Sequence, residues 1–83
     1  MSTSNHDTDR VTIGKLARDA DVLPSTVRYY VKEGLLQVAD HTLGGFFLFD
    51  RASAPQRIER IQILKGQRLT LVEIREQLLK EAS

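Results

Sequence analysis

Between Ser25 and Lys32 the chain places six polar or charged side chains in eight positions: Ser25, Thr26, Arg28, Tyr29, Tyr30 and Lys32. Arg28 has the most specific chemistry of the set. Its guanidinium offers two parallel N–H donors that match guanine O6 and N7 in the DNA major groove, a contact worth about 1–3 kcal/mol of discrimination. The competing role is a surface ion pair with Glu33 or Asp21, worth about 0–1 kcal/mol. Ser25 and Thr26 follow Pro24 at the expected start of a helix, where free backbone N–H groups and the helix dipole favour phosphate. Either hydroxyl could instead satisfy that helix end. Tyr29 offers a phenol to phosphate. Tyr30 falls on the same side as Val27, so its ring has an equal claim to the core. His41 is a further candidate for phosphate, set against the commoner fate of a solvated loop histidine.

Charge distribution adds a second signal. The formal net charge is only +1, yet Arg51 to Arg68 holds Arg51, Arg57, Arg60, Lys65 and Arg68 against the single acid Glu59. A basic surface confined to one segment is the electrostatic footprint of a nucleic-acid binder, and a solvated helix face gives the same pattern. Other chemistries find no support. The chain has no cysteine, so no disulfide or zinc thiolate is available. His6 and His41 stand far apart and make no metal site. No Ser-His-Asp arrangement, paired carboxylates or glycine-rich phosphate loop is visible, and a domain this small rarely holds a catalytic pocket. No enzyme activity, cofactor or metal is therefore expected. No apolar run approaches a membrane span, and the first nine residues lack a signal core, so a cytoplasmic protein is expected.

The elements that must position these residues follow from periodicity. Residues 1–10 read as a disordered polar tail, and residues 11–83 as one domain. Val11-Thr12-Ile13 is a short β-branched stretch. Thr12 caps a helix over about Ile13–Ala20, whose buried face is Ile13, Leu16, Ala17 and Ala20. Asp21-Val22-Leu23 breaks it. A second helix starts at Pro24 and runs to about Glu33, with Gly34 as a left-handed terminator. Two short helices joined this closely form a helix-turn-helix pattern, a weak signal by itself. Leu35–Ala39 and Phe46–Phe49 read as two strands joined by a loop with Gly44-Gly45, a hairpin wing. A third helix is expected from Ser53, as cap, with Gln56 completing a capping box, and Gly66 weakens or ends it. A fourth runs from about Thr70 to Ala82, capped by Thr70 and Glu73, with Leu71, Ile74, Leu78 and Leu79 inward. The fold class is mostly α: a winged helix-turn-helix with a small two-stranded β wing and about four helices.

Thr12-Ile13-Gly14-Lys15-Leu16-Ala17, then Ser25-Thr26-Val27-Arg28-Tyr29-Tyr30, Gly34-Leu35-Leu36 and Leu69-Thr70-Leu71-Val72-Glu73-Ile74 resemble the MerR family of transcription regulators. The resemblance spans residues 12–79. It implies a second helix in the major groove, a wing on the flanking backbone or minor groove, and binding as dimers at inverted repeats with distortion of the DNA. By position, Arg18 resembles a backbone contact at the end of the first helix. Ser25, Thr26 and Arg28 resemble recognition-helix contacts, Tyr29 and Tyr30 phosphate contacts, and Lys65 a basic phosphate contact on the third helix. The family's long dimerisation helix would lie beyond Ser83, so self-association as a homodimer or cooperative array is expected to use the helix from Thr70.

The hairpin departs from the family. Its usual Gly-Tyr-Arg-x-Tyr is replaced by Gly45-Phe46-Phe47-Leu48-Phe49, so Phe47 stands where an arginine is usual. Phe46 and Phe49 occupy the family's aromatic positions, which implies a core role for both, and in a regular strand Phe47 faces away from Phe46 and Leu48, so Phe47 is the expected exposed aromatic. An exposed Phe47 opens an alternative: a MerR-like adaptor that binds a protein partner through its wing. A small DNA-architectural or recombination factor is a third reading.

Overall fold

A computed structural model describes residues 9–82, so the expected tail lies outside the described residues except for Asp9 and Arg10. The chain order is β1 (Arg10–Thr12), α1 (Ile13–Ala20), α2 (Pro24–Lys32), β2 (Asp40–His41), β3 (Phe47–Asp50), α3 (Ser53–Gly66) and α4 (Leu71–Ala82). No helix among the described residues is long and apolar enough to cross a membrane.

The four helices form where the sequence places them, for the expected local reasons. Thr12 Oγ1 accepts the Lys15 N–H at 3.3 Å and caps α1. The α1 helix ends with Asp21 in the left-handed region, and the Val22 N–H returns to the Ala17 carbonyl at 2.9 Å. An Asp tolerates that conformation better than most side chains. Pro24 opens α2 without the loss of a hydrogen bond. Gly34 follows α2 with φ +77, which lets Leu35 N–H reach the Tyr30 carbonyl at 2.9 Å. Thr70 and Glu73 exchange two hydrogen bonds, 3.2 and 2.8 Å long, and start α4 as a capping box.

Three local expectations are corrected. Residues 35–39 form no strand. The Leu35 and Leu36 N–H groups both bind the Tyr30 carbonyl, at 2.9 and 3.2 Å, and both side chains are buried. The chain there wraps the end of α2 and does not alternate. Second, Ser53 does not cap α3. The Asp50 carboxylate, three residues earlier, accepts the Ser53 N–H at 2.7 Å, and Ser53 is already helical. Third, the sheet has three strands, not two. Order β1-β3-β2 is antiparallel throughout, with Val11 opposite Phe49 and His41 opposite Phe47. Arg10 therefore belongs to the sheet and not to a tail.

One core joins these elements. Leu16 and Ala17 of α1, Val27 and Tyr30 of α2, Phe49 of β3, Ile58, Ile61 and Leu64 of α3, and Ile74 and Leu78 of α4 are all buried. Leu79, expected inward, is 63% exposed, because the 3.6-residue period puts it one step past the Ile74–Leu78 stripe. The consequence for function is that α2 is fixed on one side by Val27 and Tyr30 and leaves its other side to solvent.

Candidate nucleic-acid interface

The free side of α2 carries Ser25, Arg28, Tyr29 and Lys32, all exposed, with Thr26 half-buried. These positions alternate with Val27 and Tyr30 at helical spacing, so the polar set projects as one ridge. Neither Glu33 nor Asp21 forms an ion pair with Arg28, and the three ion pairs among the described residues lie elsewhere. Its guanidinium is therefore not committed to the competing role. The start of α2 has no side-chain cap, with Leu23 at the cap position. Neither Ser25 nor Thr26 satisfies the helix end, so the N–H of Ser25 is left to an external acceptor.

Tyr30 is placed differently from Tyr29. Its ring is 1% exposed, among the largest buried side chains of the core. The Lys65 ammonium, on the last turn of α3, sits 5.6 Å from the ring centroid, within cation–π range. Tyr29 is 43% exposed and lies 6.2 Å from Tyr30, ring to ring. Arg18 is exposed on the last turn of α1. Its neighbours Lys15 and Asp19 pair with each other at 3.0 Å.

The third-helix arginines do not supply the expected basic surface. Arg57 donates from Nε to the Leu35 carbonyl at 2.9 Å. Arg60 grips the Glu81 carboxylate through Nε and Nη2, and this fork holds the Glu81 carboxyl below its ordinary range and raises the Arg60 guanidinium. Two of the five cations counted between Arg51 and Arg68 are thus tied to this chain's own oxygens. No short stretch of sequence signals this, because their partners lie 22 and 21 residues away. Residue type and spacing do not mark Arg75 either. From α4 it donates to the Glu33 carbonyl at 2.7 Å, directly at the end of α2.

In the hairpin, the exposed aromatic is Phe46, not Phe47. Phe46 is 72% exposed, whereas Phe47 is half-buried against the core. The strand begins at Phe47, so Phe47 and Phe49 share the inner face, with ring centroids 6.4 Å apart. Phe46 belongs to the turn and is swung outward. His41 is exposed and stacks edge-on against Phe47 at 5.4 Å. A cavity of about 310 Å³ joins these parts: its walls are Thr12, Ile13 and Gly14, Pro24 and Arg28, and Phe46 and Phe47. The starts of α1 and α2 and the hairpin therefore share one face. No group of three metal-binding side chains occurs among the described residues.

Comparison with known proteins matches this arrangement. Residues 11–81 match the model of the MerR HTH family of regulatory proteins. The chain is 38% identical over 64 residues to the HTH-type transcriptional regulator ZntR of Escherichia coli K12, covering 77% of this chain and 45% of ZntR. It superposes on the transcription regulator PbrR691 of Ralstonia metallidurans CH34, solved in complex with lead(II), with TM-score 0.76 and 38% identity over 87% of this chain and 56% of that one. HiNmlR, a MerR-family regulator lacking the sensor domain and solved on promoter DNA, gives TM-score 0.70 at 28% identity, over 81% of this chain and 52% of that one. The chain spans about half the length of these relatives. By family match, fold and the layout of its helix-turn-helix and hairpin, the chain belongs to the MerR family of helix-turn-helix regulatory proteins.

Proposed function

We propose that this chain is a sequence-specific, double-stranded DNA-binding module of a transcription regulator, with α2 in the major groove. The observation that carries the reading is the outer ridge of α2. Arg28 is exposed with no carboxylate partner among the described residues, and Ser25, Tyr29 and Lys32 flank it, while the opposite ridge is fixed in the core. Arg28 reads a guanine edge, and the uncapped start of α2 binds a phosphate. Tyr29, Lys32, Arg18 and Lys65 contact the backbone and fix the register of α2 on the duplex. Tyr30 acts through the core, by holding α2 and the Lys65 ammonium in place. His41 supports the hairpin through Phe47. A relative solved bound to promoter DNA supports duplex DNA as the ligand.

A single helix offers few base contacts, so useful specificity calls for two or more chains on repeated half-sites. The adaptor reading draws on Phe47 in place of an arginine and on the near-zero net charge; Phe47 itself is half-buried against the core, and the exposed aromatic of the wing is Phe46. In vitro selection from a random duplex pool at about 50 and 200 mM salt tests the proposal, because phosphate contacts weaken with salt while base contacts set the enriched sequence. An enriched repeat is expected. Arg28→Ala is expected to weaken binding to it by roughly 5- to 150-fold. An unchanged affinity would remove α2 from its assigned role.

A further inference from the structure

The core holds α2 by a short apolar footing. Val27 and Tyr30 are its buried side chains, three residues apart, or about 4.5 Å along the helix axis, and α1 packs beside it. Leu35 and Leu36, buried just past the helix, seat the following turn. Apolar burial is non-directional, so this footing fixes the place of α2 more firmly than its tilt. Direction comes from hydrogen bonds at the C-terminal end. The Glu33 N–H donates to the Tyr29 carbonyl and the Leu35 N–H to the Tyr30 carbonyl, both at 2.9 Å. The carbonyls of the same two residues accept guanidinium donors from other helices. Arg75 Nη2, on α4, lies 2.7 Å from the Glu33 oxygen, and Arg57 Nε, on α3, lies 2.9 Å from the Leu35 oxygen. Positive groups at this end also complement the helix dipole. Gly34 sits between the two carbonyls, and Arg75 Nε would lie 3.7 Å from a Cβ at that position, so the Arg75 side chain passes directly over the glycine.

We propose that Arg75 is a positioning residue for DNA recognition: from α4, and without touching DNA, it sets the tilt at which α2 presents Arg28, Tyr29 and Lys32 to the duplex. This inference rests on the reading of α2 given above. Glu33 directly follows Lys32, and its N–H is bonded to the Tyr29 carbonyl, so the residue that Arg75 holds is joined to both assigned backbone contacts. Tilt matters because the ridge side chains reach about 5–6 Å from the helix axis, so a change of about 10° moves their tips by about 1 Å. The paired N–H bonds from Arg28 to a guanine edge form only within about 2.7–3.2 Å, so that displacement weakens them. Arg57 holds the Leu35 carbonyl in the same way, but it is half-buried and removing it also disturbs packing. Arg75 is exposed, so its donor can be removed with little cost to the core.

Fluorescence anisotropy tests the assignment on two duplexes, the selected one and a copy with one enriched G·C pair replaced, with salt varied from about 50 to 200 mM. Arg75→Met keeps the aliphatic stem and removes the donor. It is expected to weaken binding to the selected duplex by roughly 5-fold, to bring the two duplexes closer in affinity, and to leave the salt slope unchanged. Arg75→Lys offers a donor without the planar fork and is expected to fall between the parent and Arg75→Met. It carries the same comparison should Arg75→Met lose its melting transition. A variant that merely unfolds more readily loses the same fraction of active protein on both duplexes, so its discrimination between them does not move. An affinity loss with discrimination intact would therefore make Arg75 structural and overturn the positioning role. A slope shallower by about 0.9 would make it a direct phosphate contact, with the same consequence. If Arg75→Met binds as the parent does while Arg28→Ala binds weakly, only the role of Arg75 is overturned and the α2 reading stands. If Arg28→Ala binds as the parent does, or the parent binds no duplex, the α2 reading falls and this inference falls with it.

Discussion

Arg28, Arg57 and Arg75 are the same residue type in two different roles, and only their partners separate them. Arg57 and Arg75 donate to the carbonyls of Leu35 and Glu33, which lie just past the end of α2. Charged donors to otherwise open carbonyls contribute about 1.5–3 kcal/mol when buried and less when exposed. Arg57 is half-buried and Arg75 exposed. We expect Arg57→Met to cost about 1–2 kcal/mol in urea unfolding, with Arg75→Met costing less. Arg28→Ala is expected to move stability by no more than about 0.5 kcal/mol, because the side chain is exposed and makes no hydrogen bond or ion pair among the described residues. A large stability loss in Arg28→Ala would mean that its guanidinium is structural. The separation of effects is what marks a residue as binding and not as holding the fold.

At the scale of elements, the caps show what the sequence makes legible. The Thr70–Glu73 box follows from two residues three apart, and both of its hydrogen bonds form. Thr70→Ala is expected to lower stability by about 1 kcal/mol, read from a thermal melt. The start of α3 misleads for the opposite reason. Ser53 and Gln56 have the spacing of a box, but Asp50 at the end of β3 holds the same N–H with a charge. Local pattern cannot choose between a capping hydroxyl inside a helix and a carboxylate delivered by a sheet. Likewise β1 pairs with β3 across some forty residues, a contact that no short window contains. Hydrogen bonds from Ser53 hold the Asp50 carboxyl below its ordinary value of 3.8, and the Arg60 fork holds Glu81 below 4.5. In each case the folded chain binds the proton less readily than the unfolded one. Their stabilisation is therefore full above the ordinary value and is lost as pH falls through the lower, folded value. The melting temperature should hold from neutral pH to about 4.5 and decline below it, and Asp50→Asn should make that decline shallower. An unaltered acid limb in Asp50→Asn would exclude this cap as its source.

At the scale of the whole molecule, a net charge of +1 is a poor match for a polyanion until the cations are sorted by partner. Arg57, Arg60 and Arg75 bind oxygens of this chain. Lys15 pairs with Asp19, and Arg10 lies 4.0 Å from Asp50. Of the other exposed cations, Arg18, Arg28, Lys32 and Lys65 are those assigned to DNA, and Arg51, Arg68 and Lys80 stand outside that set. Each phosphate neutralised contributes about 0.9 to the slope of log affinity against log salt, so four contacts give a slope of about −3.6 per chain. If Arg28 reads a base and touches no phosphate, the slope is nearer −2.7 by the same rule, roughly. Raising salt fourfold, from about 50 to 200 mM, should then weaken one chain's binding by roughly 40- to 150-fold. Two chains on a repeat should show about twice the slope. A slope steeper than about −5 per chain would mean that cations beyond these four reach phosphate, either exposed Arg68 and Lys80 or Arg57 and Arg60 released from their internal oxygens. A slope near zero would remove the phosphate contacts altogether, and with them the electrostatic half of the proposed interface.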